Sequence, residues 1–409
     1  MMTDRTLVDL TTQEFRRNPY PLFAQLRAAQ PLTRFTMPGN ATAWIVTRYA
    51  DAQEILKDTT HFAKDMRKVA PSAFVESIFQ GEGGESLRLL SQHMLASDPP
   101  DHTRLRKLVS KAFTLRIVEQ LRPRIQQITD ELLDAVQPQG RMELIGDFAF
   151  PLPITVISEL LGIPVEDRPK FRIWTSALFN VSSNLFEQTR SVPVEAQLFA
   201  DYLRKLIALR REQPTDDIIG HLVQVEEEGD RLSENELISM IFLLITAGHE
   251  TTVNLIGNGT LVLLQHPDQW HLLQQHPDYI ESAVEELLRV TGPVMMATPR
   301  WCSEEMELHG QTLHKGDLVL VALLSADEDP DHFPDPEKLD ITREERQHLA
   351  FGKGIHACIG APLARLEGQI AFSTLVRRMP GLRLAADPDK LVWRGSLLLR
   401  GLDALPVTF

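Results

Sequence analysis

The hydrophobic pattern is strongest between Ser233 and Gln265. Ser233 and Glu236 have the spacing of a capping box, and Leu232 and Leu237 are placed as a hydrophobic staple. The predicted helix stops at His266-Pro267 and would be roughly 50 Å long at the rise of an α-helix. Met240–Thr246 is almost entirely apolar, so this part is expected to be buried. Ala247-Gly248-His249-Glu250-Thr251-Thr252 then interrupts the apolar run with a glycine, a carboxylate and two hydroxyls. Such groups are costly inside a buried helix unless they are hydrogen-bonded or used.

The remaining pattern reads as mainly helical with small sheets. A short amphipathic helix is predicted over Pro21–Gln30, and Leu32–Thr36 and Ala43–Thr47 read as a hairpin about the Pro38-Gly39-Asn40 turn. Tyr49–Lys57 reads as helix. Residues 59–96 mix Gly81, Gly83 and Gly84 with Phe74, Val75, Phe79 and Leu87, which predicts a long irregular loop or a lid over a hydrophobic ligand. From His102 to Glu227 the pattern is mostly helical, with 171–211 a candidate second flap. Helices are expected over Tyr279–Val290 and Ile359–Arg378, and short strands at 306–313 and 318–322. Leu391–Phe409 alternates like a terminal hairpin. No internal repeat or linker divides the chain, so 1–409 is expected to be one domain, with β-rich parts at about 30–60 and 300–325.

Charge narrows the partners. Forty-two basic against 56 acidic residues leave a net charge of −14, which argues against nucleic acid as the main partner. Cys302 and Cys358 are the only cysteines, too few for a disulfide framework or a four-cysteine metal site. The N-terminal stretch lacks a signal-peptide pattern, and no uninterrupted apolar run reaches membrane-spanning length. A cytoplasmic protein is expected.

The candidate chemistry gathers at Phe351-Gly352-Lys353-Gly354-Ile355-His356-Ala357-Cys358-Ile359-Gly360. Three glycines allow close backbone approach to a bound group, and a cysteine at a helix mouth is biased toward the thiolate. A lone cysteine is more often a small buried hydrophobe. Here, however, Phe351, Gly354, Cys358 and Gly360 spell F-x-x-G-x-x-x-C-x-G, and the chain resembles the soluble bacterial members of the cytochrome P-450 superfamily. Leu363-Ala364-Arg365 with Glu367 continues the resemblance.

The resemblance implies a mainly α, triangular-prism fold with haem b held between the long helix and the cysteine-loop helix. Cys358 would be the axial thiolate and metal ligand, with Phe351, Gly352, Gly360 and Ala247 against the haem. Glu286 and Arg289 match E-x-x-R, and Arg343 the meander arginine that joins them, a structural cluster. Ala247, Gly248, Glu250 and Thr251 match [AG]-G-x-[DE]-T. There Gly248 would leave room for dioxygen, Thr251 would hydrogen-bond the iron-bound peroxo group, and Glu250 would relay protons. His102 and Arg106, Arg300 and His356 match positions that bind haem propionates. One departure is Ala326-Asp327-Glu328-Asp329-Pro330, where relatives usually carry arginine in place of Glu328.

The implied activity is insertion of one oxygen atom from O2 into a hydrophobic small molecule: a terpenoid, steroid, fatty acid or polyketide-like compound. Electrons would come ultimately from NAD(P)H through a separate ferredoxin and ferredoxin reductase. These would dock on a patch formed by Lys107, Lys111, Arg116, Lys353 and Arg365 of a monomeric enzyme. Candidate substrate contacts are Phe74, Val75, Phe79 and Leu87 in the lid, and Met240 and Leu244 on the long helix. Val294, Met295, Met296 and Ala297, with Leu397 and Leu398 in the terminal segment, complete the set. Two alternatives remain at this stage. One is a peroxide-driven or non-oxygenating haem enzyme on the same fold, which the Glu250–Thr251 pair disfavours. The other is a Cys358/His356 hydrolase, which lacks a third member.

Overall fold

The computed structural model describes residues 10, 12–36, 42–70, 72–80, 84–171, 173–174, 194–225, 229–394 and 397–409. Its axis is the helix Glu234–Gln265, capped as expected: Ser233 Oγ accepts from Glu236 N, and the Glu236 carboxylate accepts from Ser233 N at 2.8 Å. By length and hydropathy this helix alone among the described residues could cross a membrane. Yet 78% of its most apolar window is buried inside the protein, so it is the core of the fold.

Two helices fix its lower half. Ile280–Thr291 and Ala361–Arg378 both pack on it and on each other. Close approach depends on glycine: a Cβ at Gly259 would lie 2.6 Å from the Phe372 ring. The upper half is covered by Pro151–Leu160, Val194–Glu212 and Gly84–Leu90, the last tied on by Ser239 Oγ donating to Leu90 O at 3.0 Å.

A five-stranded sheet stands to one side, in the order Leu32–Thr36, Thr42–Val46, Leu318–Val321, Arg300–Cys302, Phe62–Ala63. Thr42–Val46 and Leu318–Val321 run parallel and the other pairs antiparallel. This is the β-rich region expected from 30–60 and 300–325.

Two expectations change. Residues 59–96 are not one irregular loop: they form Phe62–Ala63 and the short helices Met66–Val69, Ser72–Ile78 and Gly84–Leu90. Local periodicity is too short there to register. The terminal segment is not a plain hairpin. A single bridge joins Trp393 to Leu402, and Pro406–Thr408 pairs instead with Arg141–Glu143 and Arg383–Leu384. Of the proposed flap 171–211, residues 172 and 175–193 lie outside the described residues.

Candidate active site

The cysteine loop is built by backbone geometry. Gly352 and Gly354 have φ of 67° and 73°, and a Cβ at Gly354 would lie 2.5 Å from Leu56 O. Only glycine fits there. Cys358 N donates to Phe351 O at 2.9 Å, closing the loop just before the helix Ala361–Arg378. Cys358 is exposed, yet surrounding protein pushes its thiol up, against the Gly360 N–H and the Arg106 charge.

Phe351 is held by Arg365, whose guanidinium lies 4.6 Å from the ring centroid. Arg365 in turn makes two bonds to Glu285, at 2.7 and 2.8 Å. Glu285 also meets His348 Nε2 at 3.1 Å, and despite its burial these partners hold its carboxyl down at about 2. Glu285 lies one helical turn from Arg289, yet the fold pairs it across space with the cysteine helix.

Glu286, Arg289 and Arg343 do come together. Arg289 Nε and Nη2 each reach Glu286 at 2.8 Å, and Arg343 Nε reaches it at 3.2 Å. Arg289 Nη1 also donates to Asp327 O and Pro336 O at 2.9 Å each. Glu286 and Arg289 are buried, Arg343 is half-buried, and the cluster ties the 327–343 segment to the helix Ile280–Thr291.

The polar break in the long helix is where that helix opens. Ala247 is exposed and Gly248 and Thr251 are half-buried, whereas Met240–Ile245 and Thr252–Leu261 are buried. Thr251 Oγ1 donates to Ala247 O at 2.7 Å, so its lone pairs remain as acceptors. A Cβ at Gly248 would contact Ile157 Cδ1 at 3.5 Å. That is ordinary van der Waals distance, so Gly248 faces the helix Pro151–Leu160 on that vector. Glu250 is buried and bonded to Arg394 Nη1, and Arg394 Nε lies 3.7 Å from Asp403. Burial raises the Glu250 pKa and Arg394 opposes the rise. His249 packs edge-on against Phe150 at 4.4 Å.

Glu367 joins the two walls. It is buried on the cysteine helix and interacts with the Thr252 hydroxyl on the long helix; burial pushes its carboxyl up to about 8.

The four expected propionate partners converge. His102 and Arg106 lie on Asp101–Ala112; Arg106 Nη2 donates to Ala357 O at 2.8 Å, and the His102 and His356 rings are 4.3 Å apart. Arg300 is buried, its pKa pushed down to about 10 by desolvation. Both ring nitrogens of His102 and Nε2 of His356 are buried without a hydrogen-bond partner. Buried polar atoms are rarely left so. Orphaned donors and two arginines beside an accessible thiol fit a flat metal complex bearing carboxylates, as haem does.

The Cytochrome P450 family model matches residues 10–380. The chain belongs to the cytochrome P450 family. It is 46% identical to "Polyketide biosynthesis cytochrome P450 PksS" of Bacillus subtilis, covering 97% of each chain. It is also 46% identical to "Cytochrome P450 monooxygenase PikC" of Streptomyces venezuelae, over 97% of this chain and 92% of that one. The solved structure of myxobacterial CYP267B1 with myristic acid superposes with a TM-score of 0.90 at 45% identity, covering 98% of each. This P450 is therefore a monooxygenase whose chemistry uses haem and O2.

The substrate residues divide. Val294 and Leu397 are half-buried, as are Val75, Phe79 and Leu87; the Phe74 side chain lies outside the described residues. The backbone brings 294–297 to the terminal segment: Met295 N donates to Leu398 O at 2.8 Å. Met240, Met295 and Met296, however, keep 0–1% of their surface. A side chain lining a cavity that water can enter keeps more. These methionines are core, Met295 and Met296 within a cluster that includes Phe23, Ile45 and Leu398. Leu244, Ala297 and Leu398 retain 7–8%.

Of the expected basic patch, Lys107, Lys111 and Arg116 are exposed and Lys353 is half-buried. Arg365 drops out, because Glu285 already neutralises it. Arg106, Lys107, Ser110, Lys111 and Ile355 line a surface groove of about 460 Å³. Sequence reasoning missed Arg394 and Lys64; neither lies in a motif, and both act on residues far away in the chain.

Proposed function

We propose that this P450 hydroxylates or epoxidises a hydrophobic small molecule of the polyketide or fatty-acid type. Cys358 ligates the iron; His102, Arg106, Arg300 and His356 hold the propionates; Phe351, Gly352, Gly360 and Ala247 lie against the macrocycle. The bound haem supplies dioxygen activation, favoured by the electron-rich thiolate. Glu250, kept protonation-prone by burial and steadied by Arg394, would relay protons through water toward the open face at Thr251, whose hydroxyl lone pairs can accept a hydrogen bond. The half-buried Val294, Leu397, Val75, Phe79 and Leu87 bound the substrate space, with Leu244 and Ala297 at its edges. The substrate class follows the printed names of the relatives: one in polyketide biosynthesis and one bound to myristic acid.

Electrons arrive from NAD(P)H through a ferredoxin reductase and a ferredoxin. An acidic donor needs local positive charge on a protein whose net charge is −14, and it would dock where Lys107, Lys111 and Arg116 are exposed. The enzyme is read as a cytoplasmic monomer forming one domain.

The observation that carries this reading is the opening at Ala247 in an otherwise buried helix, with an exposed Cys358 on the loop of the helix packed against it. The test is a titration of macrolide-ring precursors and fatty acids against the haem spin-state shift. Ala247→Phe should abolish the shift while haem stays bound. An unchanged shift, or a Cys358→Ser variant that keeps the thiolate-type CO difference spectrum, would sink the reading.

A further inference from the structure

More positive charge is buried beside this site than the two arginines among its four expected propionate partners account for. Lys64 follows the strand Phe62–Ala63, which pairs with Arg300–Cys302 so that Ala63 faces Trp301. That register sets Lys64 beside Arg300. Lys64 Nζ donates to Thr298 Oγ1 at 2.6 Å, Pro299 O at 2.7 Å and Thr298 O at 2.9 Å. Arg300 Nη1 donates to the same Thr298 carbonyl at 3.4 Å. Two buried cations thus share one acceptor.

The one carboxylate whose charge is felt by both is Asp98, and among the described residues it forms an ion pair with neither. Its two oxygens accept from Lys64 N and Asp65 N, at 2.8 and 2.9 Å, and not from either side chain. Asp65 is paired with Arg67 at 2.6 Å. Among the described residues neither Lys64 nor Arg300 forms an ion pair. Burial and the Arg300 charge drive the Lys64 pKa well below its ordinary range, and the Asp98 charge offsets only part of this.

We propose that Lys64 is a positioning residue for a haem propionate, acting through the Thr298 hydroxyl. The ammonium's three protons are all used. Thr298 Oγ1 accepts one of them, which turns its own proton away from Lys64. No described residue accepts that proton. The hydroxyl is therefore a donor polarised by a charge behind it, beside the Arg300 guanidinium, and a carboxylate is the acceptor that satisfies both. The bland alternative is a tie between the strand and residues 298–299, with no bearing on charge in the ligand.

This inference rests on the haem reading, and the test separates the two. Wild-type, K64M, K64R and T298V proteins are loaded with native haem or with its dimethyl ester, which has the same shape but uncharged side chains. Loss to excess apomyoglobin is followed at the Soret band. Wild-type protein should release the ester faster. In K64M the ratio of ester to native loss rates should shrink roughly tenfold, the weight of one charge-assisted hydrogen bond. T298V should shrink it similarly, K64R should keep most of it, and K64M with T298V should be no worse than either alone. If K64M speeds both haems equally, or neither, the proposal is wrong and Lys64 is a tie. Should K64M fail to fold, T298V carries the same ratio test. A wild-type chain that takes up neither haem overturns the functional reading itself.

Discussion

Removing Arg394 should move the pH dependence of turnover. Glu250 is buried, and burial alone raises its pKa; the Arg394 guanidinium, in direct contact with it, is the force opposing that rise. In Arg394→Met the opposition is lost, so Glu250 holds its proton to higher pH. A hydrogen bond between charged groups is worth ~1.5–3 kcal/mol, or about one to two pKa units. The Arg394 side chain is 34% exposed and shares Asp403, so water already screens part of this. A shift of roughly one unit is the expected remainder. If protonated Glu250 supplies the proton, turnover falls as pH rises through its pKa. The alkaline limb of the profile should then lie about one unit higher in R394M, and R394K should restore most of the wild-type position. The assay is product formation under saturating reductant across pH, with peroxide release measured in parallel. An R394M profile that superposes on wild type would refute the idea that Arg394 sets the proton affinity of Glu250.

Three further outcomes follow from the packing. Glu286→Gln leaves the buried Arg289 and the half-buried Arg343 without their carboxylate, and should cost ~3–5 kcal/mol of stability, read as a lower urea midpoint. Met295→Ala and Met296→Ala, at 1% and 0% exposure, should each cost about 2–5 kcal/mol while leaving ligand affinity nearly unchanged, because both side chains are core. Burial raises Glu328 to about 7, so its contribution is fully present below its unfolded pKa and lost as pH rises through about 7; Glu285, held at about 2, contributes above its unfolded pKa and loses this as pH falls through about 2. Glu328→Gln should therefore flatten the fall in thermal midpoint between about pH 5 and 7.5, without altering the acid limb.

Much of this protein was legible before folding. The capping box at Ser233, the polar break at Ala247–Thr251 and the glycine-rich cysteine loop each depend on neighbours within a few residues. Backbone geometry is local, and Gly352 and Gly354 carry their positive φ in the sequence itself. So does the pairing of Glu286 with Arg289, three apart on one helix.

Through-space partners were not legible. Glu285 could have paired with Arg289 one turn away but pairs with Arg365, 80 positions later. Glu250 meets Arg394 across 144 positions, and Lys64 meets Thr298 across 234. Burial behaves the same way. Met295 and Met296 have the chemistry of an adaptable pocket wall, and only the packing of Phe23 and Ile45 against them makes them core. Spacing along a chain specifies which residues share a helix face or a loop. Whether that face meets water, ligand or another side chain depends on elements hundreds of positions away, and those contacts set each buried group's charge and role.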